Sequence, residues 1–154
     1  MQDIVNKLIK ECKTISTMES CTGGYVANAI TNIPGASEIF KFGAVTYSNE
    51  YKIKMGVDKN IIDKYTVYSL ETADEMSKKI SVFTGSSYGI GVTGQINRVD
   101  LNNIVYNDNQ IYVSVYDAAF DRCYHEMFEA IDDTREKNRE MILIKTKDIL
   151  RKII

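Results

Sequence analysis

Apolar residues fall at Ile4, Val5, Leu8, Ile9 and Cys12, the spacing of one helical face, so residues 2–12 are predicted to form an amphipathic helix. A short β-like run, Thr14 to Met18, follows and breaks off at Glu19-Ser20-Cys21-Thr22-Gly23-Gly24. Tyr25 to Ile30 then reads as a buried helix, closed by the stop and turn signal Asn32-Ile33-Pro34-Gly35. Residues 36–40 suit a helical turn. Phe42 to Tyr47 is β-branched and aromatic in character, which predicts a second strand. Ser48-Asn49 is placed to cap a short helix running through Lys54, with Gly56 at its end.

A longer helix is expected from Ser69, with Ala73, Met76, Ile80 and Phe83 on its packed stripe and Gly85 as C-cap. Tyr88 to Val92 is short and apolar, as suits the middle of a sheet. The stretch from Thr93 to Asn109 is polar. Gln110 to Asp117 and Arg122 to Ala130 read as an antiparallel hairpin turning at Ala118 to Asp121. The last helix is expected to start near Asp132 or Asp133, with Ile142, Thr146, Ile149, Leu150 and Ile153 on one stripe. The order α-β-α-β-α-α-β-β-β-α predicts an α/β fold, a three-layer α/β/α sandwich around a mixed sheet. No internal repeat and no Pro-, Gly- or Ser-rich linker divides the chain, so residues 1–154 are expected to form a single domain.

Composition narrows the function classes. A chain of 154 residues can bury enough surface to fold without a disulfide or metal staple. Its 19 Lys and Arg stand against 21 Asp and Glu, net charge -2, which excludes a globally basic nucleic-acid-binding surface. No apolar run approaches the ~20 residues of a membrane span, and the charged N-terminal segment does not read as a signal peptide. Neither a nucleic acid nor a membrane is therefore expected as a partner. The three cysteines, Cys12, Cys21 and Cys123, are too scattered for a disulfide framework, which points to a reducing, cytoplasmic location.

Two segments can carry chemistry. Ser20-Cys21-Thr22-Gly23-Gly24 sits at a strand-to-helix junction, where a hydroxyl stands at the mouth of a sheet and free backbone N–H groups can hold a phosphate or an oxyanion. The same residues suit a plain helix cap by Ser20 or Thr22 with a glycine turn, and spacing leaves both readings open. In Tyr47-Ser48-Asn49-Glu50-Tyr51-Lys52, a desolvated Lys52 can serve as the base that a serine nucleophile needs. The single histidine, His125, lies mid-strand and far along the chain. By itself Lys52 reads as an ordinary surface lysine. Cys21 competes as nucleophile, since a thiol at a helix start can have a lowered pKa. Gly89-x-Gly91-x-x-Gly94 fits a dinucleotide pattern, but its first two glycines lie inside a strand and the match reads as accidental. Cys123 and His125 share one strand face without a second pair, so no metal site is expected.

Several motifs in order are similar to one family. Thr17 to Gly24, Ile33-Pro34-Gly35-Ala36-Ser37, Val45 to Glu50 with Lys52, and Gly91-Val92-Thr93-Gly94 resemble the CinA C-terminal domain family, which includes stand-alone nicotinamide-nucleotide amidohydrolases of the PncC type. The resemblance spans nearly the whole chain. It implies hydrolysis of the carboxamide of nicotinamide mononucleotide to nicotinate mononucleotide and ammonia, with no metal or cofactor. It also implies Ser20 as nucleophile, Lys52 as its base and Tyr47 as a positioning or proton-relaying residue. The amides of Cys21, Thr22, Gly23 and Gly24 and the Thr93-Gly94 turn are implied to bind the oxyanion or substrate. Asp133-Thr134-Arg135 with Arg139 matches a family pattern whose arginine can meet a phosphate with a bidentate fork; a surface salt bridge is the plain alternative. A homodimer or higher homo-oligomer is expected on the same ground.

The chain departs from the family after Gly94. A Gly- and Pro-rich loop is usual there, whereas this chain has no Gly or Pro from Gln95 to Asn109. Side chains there are expected to hinder the close backbone approach that glycine permits. Two alternatives follow from that loop: a catalytically degenerate nucleotide-binding or regulatory relative, or an amidase for another small carboxamide.

Overall fold

The computed structural model describes residues 1–97, 101, 103 and 109–154. Its elements are α1 (Gln2–Lys10), β1 (Ile15–Glu19), α2 (Tyr25–Thr31), α3 (Ala36–Ile39), β2 (Phe40–Val45), α4 (Asn49–Lys54), α5 (Lys59–Tyr65), α6 (Leu70–Thr84), β3 (Tyr88–Gly94), β4 (Gln110–Asp117), β5 (Arg122–Glu129) and α7 (Arg135–Ile153). The strands form one mixed sheet in the order β2-β1-β3-β4-β5. β1 pairs in parallel with both β2 and β3, whereas β4 runs antiparallel to β3 and β5. The predicted three-layer α/β architecture is the observed one.

Strand alternation explains the two layers of core. Ile15 of β1, Tyr88, Ile90 and Val92 of β3, and Ile111, Val113 and Val115 of β4 face α1, α2, α3 and α7, contributing to the larger apolar cluster. The opposite face carries Met18, which packs with Val57, Val67, Met76 and Ile80 from α6 and the segments before it. On that face Gly89 and Gly91 give α6 room to approach the sheet. A Cβ on Gly89 would lie 2.0 Å from Ser77 O, and one on Gly91 would lie 2.2 Å from Ala73 O. The glycines of the apparent dinucleotide pattern therefore serve helix-on-sheet packing.

Several boundaries differ from the sequence reading for identifiable reasons. Helix α1 stops at Lys10, and Cys12 is exposed in a turn at φ 52°, off the face expected for it. Strand β2 begins two residues early because Phe40 pairs with Ile15 and Val45 with Glu19, which leaves Tyr47 beyond the strand. Helix α5 was not expected; Asp58 caps it by accepting from Asn60 N at 2.8 Å. Phe83 is 64% exposed instead of packed in the α6 stripe. It sits against Phe42 of the edge strand β2, ring centroids 5.5 Å apart. Helix α7 starts at Arg135, later than expected, because Thr134 takes the cap and accepts from Lys137 N at 3.2 Å.

The α6–β3 approach is directly testable. Gly91→Ala is expected to cost about 3 kcal/mol or more of stability, since the added methyl meets helix backbone that has no room to yield. Urea denaturation measures this, and a loss within the ordinary range of a surface substitution would contradict it.

Candidate active site

The three parallel strands deliver their C-terminal ends to one place. Ser20 follows β1, Thr46 and Tyr47 follow β2, and Gly94 closes β3. β1 lies between the other two, so the chain leaves it on one side to form β2 and returns on the other as β3. Such a reversal opens a crevice beyond the carboxyl ends of the strands. A cleft of about 660 Å³ lies there, with Ser20, Lys52, Tyr47, Asn49, Tyr68 and Arg135 among its lining residues. Its volume falls in the range of small-molecule sites.

Ser20 and Lys52 meet in this cleft. Ser48 caps α4 by accepting from Tyr51 N at 3.3 Å, and Gly56 at φ 96° releases the chain just past the helix end. The short helix turns Lys52 inward while Tyr51 and Ile53 stay exposed. Lys52 is 1% exposed, and its Nζ lies 3.0 Å from Ser20 Oγ and 2.8 Å from the Thr46 carbonyl oxygen, to which it donates. Among the described residues no carboxylate pairs with it. Burial therefore lowers its pKa to about 8, the direction expected when a charged amine loses water without gaining an anion. An uncharged Nζ that donates to the carbonyl still has a lone pair for the Ser20 hydroxyl proton.

The turn that presents Ser20 is held from below by a residue with no role in the sequence reading. Glu19 is fully buried, and its carboxylate accepts from Val26 N at 3.0 Å and Ala27 N at 2.8 Å. An anion there satisfies amides at the start of α2 and complements the helix dipole. Neither Ser20 nor Thr22 caps the helix, which corrects that reading: the N-cap is Gly24, at φ 94°, with no side-chain bond. Ser20 is thus left for Lys52. Gly23, at φ 63°, makes the other left-handed turn residue, and Gly23 N donates to Ser20 O at 3.0 Å. Among the described residues the amides of Cys21 and Thr22 have no oxygen acceptor. Only the position of Glu19 directly before the Ser-Cys-Thr-Gly-Gly turn hinted at its part.

The other candidates are distributed unevenly. Cys21 is buried, and desolvation pushes its thiol up to about 12, so the expected lowering is corrected and a thiolate is disfavoured. Thr22 is buried with its hydroxyl unpartnered. Thr93 is also buried, and its hydroxyl donates to Val67 O at 2.9 Å instead of facing the cleft, whereas Gly94 lines it. Tyr47 is 64% exposed at the rim, its hydroxyl accepting from Arg135 at 3.5 Å. Arg135 lines the cleft and also donates to Ile96 O at 3.0 Å. Arg139 braces the turn from behind, donating to Cys21 O at 3.4 Å and packing beside Gly23. Away from the cleft, Cys123 lies beside Ser77 and His125 Nδ1 faces Asp74 at 3.0 Å. No three metal-binding side chains converge among the described residues.

The departure after Gly94 is partly in view. Gln95 and Ile96 line the cleft, and Asn97 takes the left-handed conformation at φ 50°, which asparagine tolerates. Leu101 and Asn103 also line it, and Asn103 Oδ1 accepts from Asn49 at 2.6 Å. The remaining positions of that expected wall, 98–100, 102 and 104–108, lie outside the described residues.

Comparison with known proteins bears on the family and the fold. A family model described as CinA C-terminal domain matches residues 1–97. A relative from Caldanaerobacter subterraneus, named as a competence-damage inducible protein, is 48% identical over 96 residues, covering 61% of this chain and 23% of its own. A relative of the same name from Clostridium perfringens gives the same figures. The chain thus spans about a quarter of the length of the curated relatives it matches. A solved CinA superfamily protein from Escherichia coli superposes with a TM-score of 0.89 at 18% identity, over 99% of this chain and 87% of that one. A competence/damage inducible protein from Agrobacterium tumefaciens gives 0.80 at 23% identity, over 99% and 92%. The superposition therefore extends beyond the 97 residues that the family model matches. No described helix is long and apolar enough to cross a membrane.

The buried amine has a measurable signature. Its folded pKa lies below its unfolded one, so between about 8 and 10.5 the unfolded chain binds more protons and stability rises with pH. Relative to Lys52→Met, the wild type is expected to gain about 3 kcal/mol of unfolding free energy across that window. Urea denaturation at a series of pH values reads the difference; a flat one would mean a normally solvated lysine.

Proposed function

The chain belongs to the CinA C-terminal domain family, and from that premise we propose that it is an amidohydrolase acting on the carboxamide of nicotinamide mononucleotide. The single observation that carries this reading is the 3.0 Å contact between Ser20 Oγ and a Lys52 Nζ that is 1% exposed and has a pKa near 8. A lysine so placed is a base near neutral pH, and a serine beside it is the nucleophile such a base serves. The competence-damage names of the relatives carry no chemistry, so the catalytic pair is argued from the site and the substrate from the family resemblance.

In this mechanism the neutral Nζ takes the Ser20 hydroxyl proton as Oγ bonds to the carboxamide carbon. The carbonyl electron pair moves onto oxygen, where the amides of Cys21 and Thr22 supply N–H donors. Collapse of the tetrahedral species expels the amide nitrogen, which takes the proton back from Lys52 and leaves as ammonia. Water then attacks the acyl-serine as Lys52 takes its proton; the proton passes to the departing Ser20 Oγ, which releases the nicotinate product and restores the neutral amine. The Thr46 carbonyl holds Nζ in place through both half-reactions. Arg135 is assigned to the substrate phosphate, and Tyr47 supports that guanidinium at the rim.

Purified protein incubated with nicotinamide mononucleotide is expected to release ammonia, with kcat/KM rising to a plateau above about pH 8. Ser20→Ala is expected to lower kcat by at least about 10³-fold. Undiminished ammonia release by that variant would refute the nucleophile; calorimetric binding of the nucleotide by a wild type that turns nothing over would favour the regulatory relative.

A further inference from the structure

Near the cleft, polar bonds join the bend at Gln95–Asn97, which the catalytic reading does not use, to the approach to α7 at 131–135. Asn97 is exposed, and its φ of 50° turns the chain out of β3. Its side-chain amide donates to Ile131 O and to Asp133 O, each at 2.8 Å. Its backbone N–H donates to Asn109 Oδ1 at 2.9 Å. One residue earlier, Ile96 O accepts from Arg135 Nη1 at 3.0 Å. The far side of the same approach is locked by fully buried Asn138, which accepts from Ile131 N at 2.9 Å and donates to Ile131 O and Thr134 O.

We propose that Asn97 is a positioning residue that fixes Arg135 as the anion anchor of the cleft, so that this chain discriminates phosphorylated from unphosphorylated ligands through a side-chain clamp. The proposal rests on the pyridine-nucleotide reading for the ligand. An exposed arginine on the first turn of a helix samples many rotamers. Here its guanidinium leans on Ile96 O and Tyr47, and both the Ile96 bend and the helix start are set by the two Asn97 bonds. A guanidinium held in this way offers its remaining N–H groups in a fixed fork to an anion. Asparagine is suited to the place because it accepts a left-handed backbone and still supplies two donors. A glycine would keep the bend and lose the clamp.

The test uses nicotinate mononucleotide and nicotinate riboside, which have no carboxamide and are not consumed, in calorimetric titration of the intact protein. Asn97→Gly and Arg135→Ala are each expected to weaken mononucleotide binding on the order of tenfold and to leave riboside binding within about twofold. The double variant is expected to bind no more weakly than Arg135→Ala, since both act through one guanidinium. Unchanged riboside binding also shows that the variant has kept its fold. The proposal is overturned if Asn97→Gly binds the mononucleotide as the wild type does, if both ligands weaken equally, or if the two losses add. It also falls if the wild type shows no preference for the phosphorylated ligand. Failure of the amidohydrolase reading shows separately, as absent ammonia release.

Discussion

A lysine amine shut away from water without a carboxylate beside it is costly to keep charged, and the surrounding structure is arranged around that cost. Among the described residues Lys52 Nζ bonds to the Ser20 hydroxyl and the Thr46 carbonyl, and neither neutralises a positive charge. The amine is therefore held close to the balance between its two protonation states at ordinary pH. By contrast, Lys54 on the same helix meets Glu50 one turn back, in solvent. The difference lies in which way α4 faces. Lys52 points in while Tyr51 and Ile53 point out, the reverse of the pattern that would stabilise the helix best. Local rules broken in this way mark places where function is paid for elsewhere in the fold.

The elsewhere is the sheet. Because β2 and β3 flank β1 in parallel, one serine, one backbone carbonyl and one lysine-bearing helix meet at the same edge. The turn after β1 holds its shape through a buried carboxylate, two left-handed glycines and an arginine from α7. On the other side, α6 is drawn against β3 by glycines at 89 and 91, and Thr93 ties β3 to the segment before α6. The bonds made by Lys52, Arg139 and Thr93 join segments distant in the chain, so the site is complete only once the strands have come together.

Much of the layer structure was legible in the sequence. Helix α6 was visible as Ala73, Met76 and Ile80 between a serine cap and Gly85, and the β4–β5 hairpin as two β-rich runs around a short turn. What went astray turned on tertiary packing. Phe83 continues the α6 stripe arithmetically, yet the helix end lies beside an edge strand and the ring remains exposed. Helix α5 went unread because its seven residues carry a single buried side chain, Ile62, too little for a periodic signal. The start of α7 slipped because Asp132, Asp133 and Thr134 are all acceptable caps, and only the bond to Lys137 N selects Thr134.

For the candidate site the sequence supplied the residue types and their order. Ser20 before two glycines, Lys52 one turn into a capped helix, and Arg135 with Arg139 four residues on are all visible in one dimension. Spacing could not say whether Ser20 caps a helix or faces a base, because both need a hydroxyl at a strand-to-helix turn. Tertiary structure decided it by giving the first amides of α2 to Glu19 and the Ser20 hydroxyl to Lys52. Nor could sequence say that Lys52 is buried or Cys21 unreactive, since both follow from desolvation, which depends on every element packed around them. Local patterning thus determined the elements and the chemical groups they carry. The protonation states and partners of those groups were decided only when the three strand ends came together and excluded water.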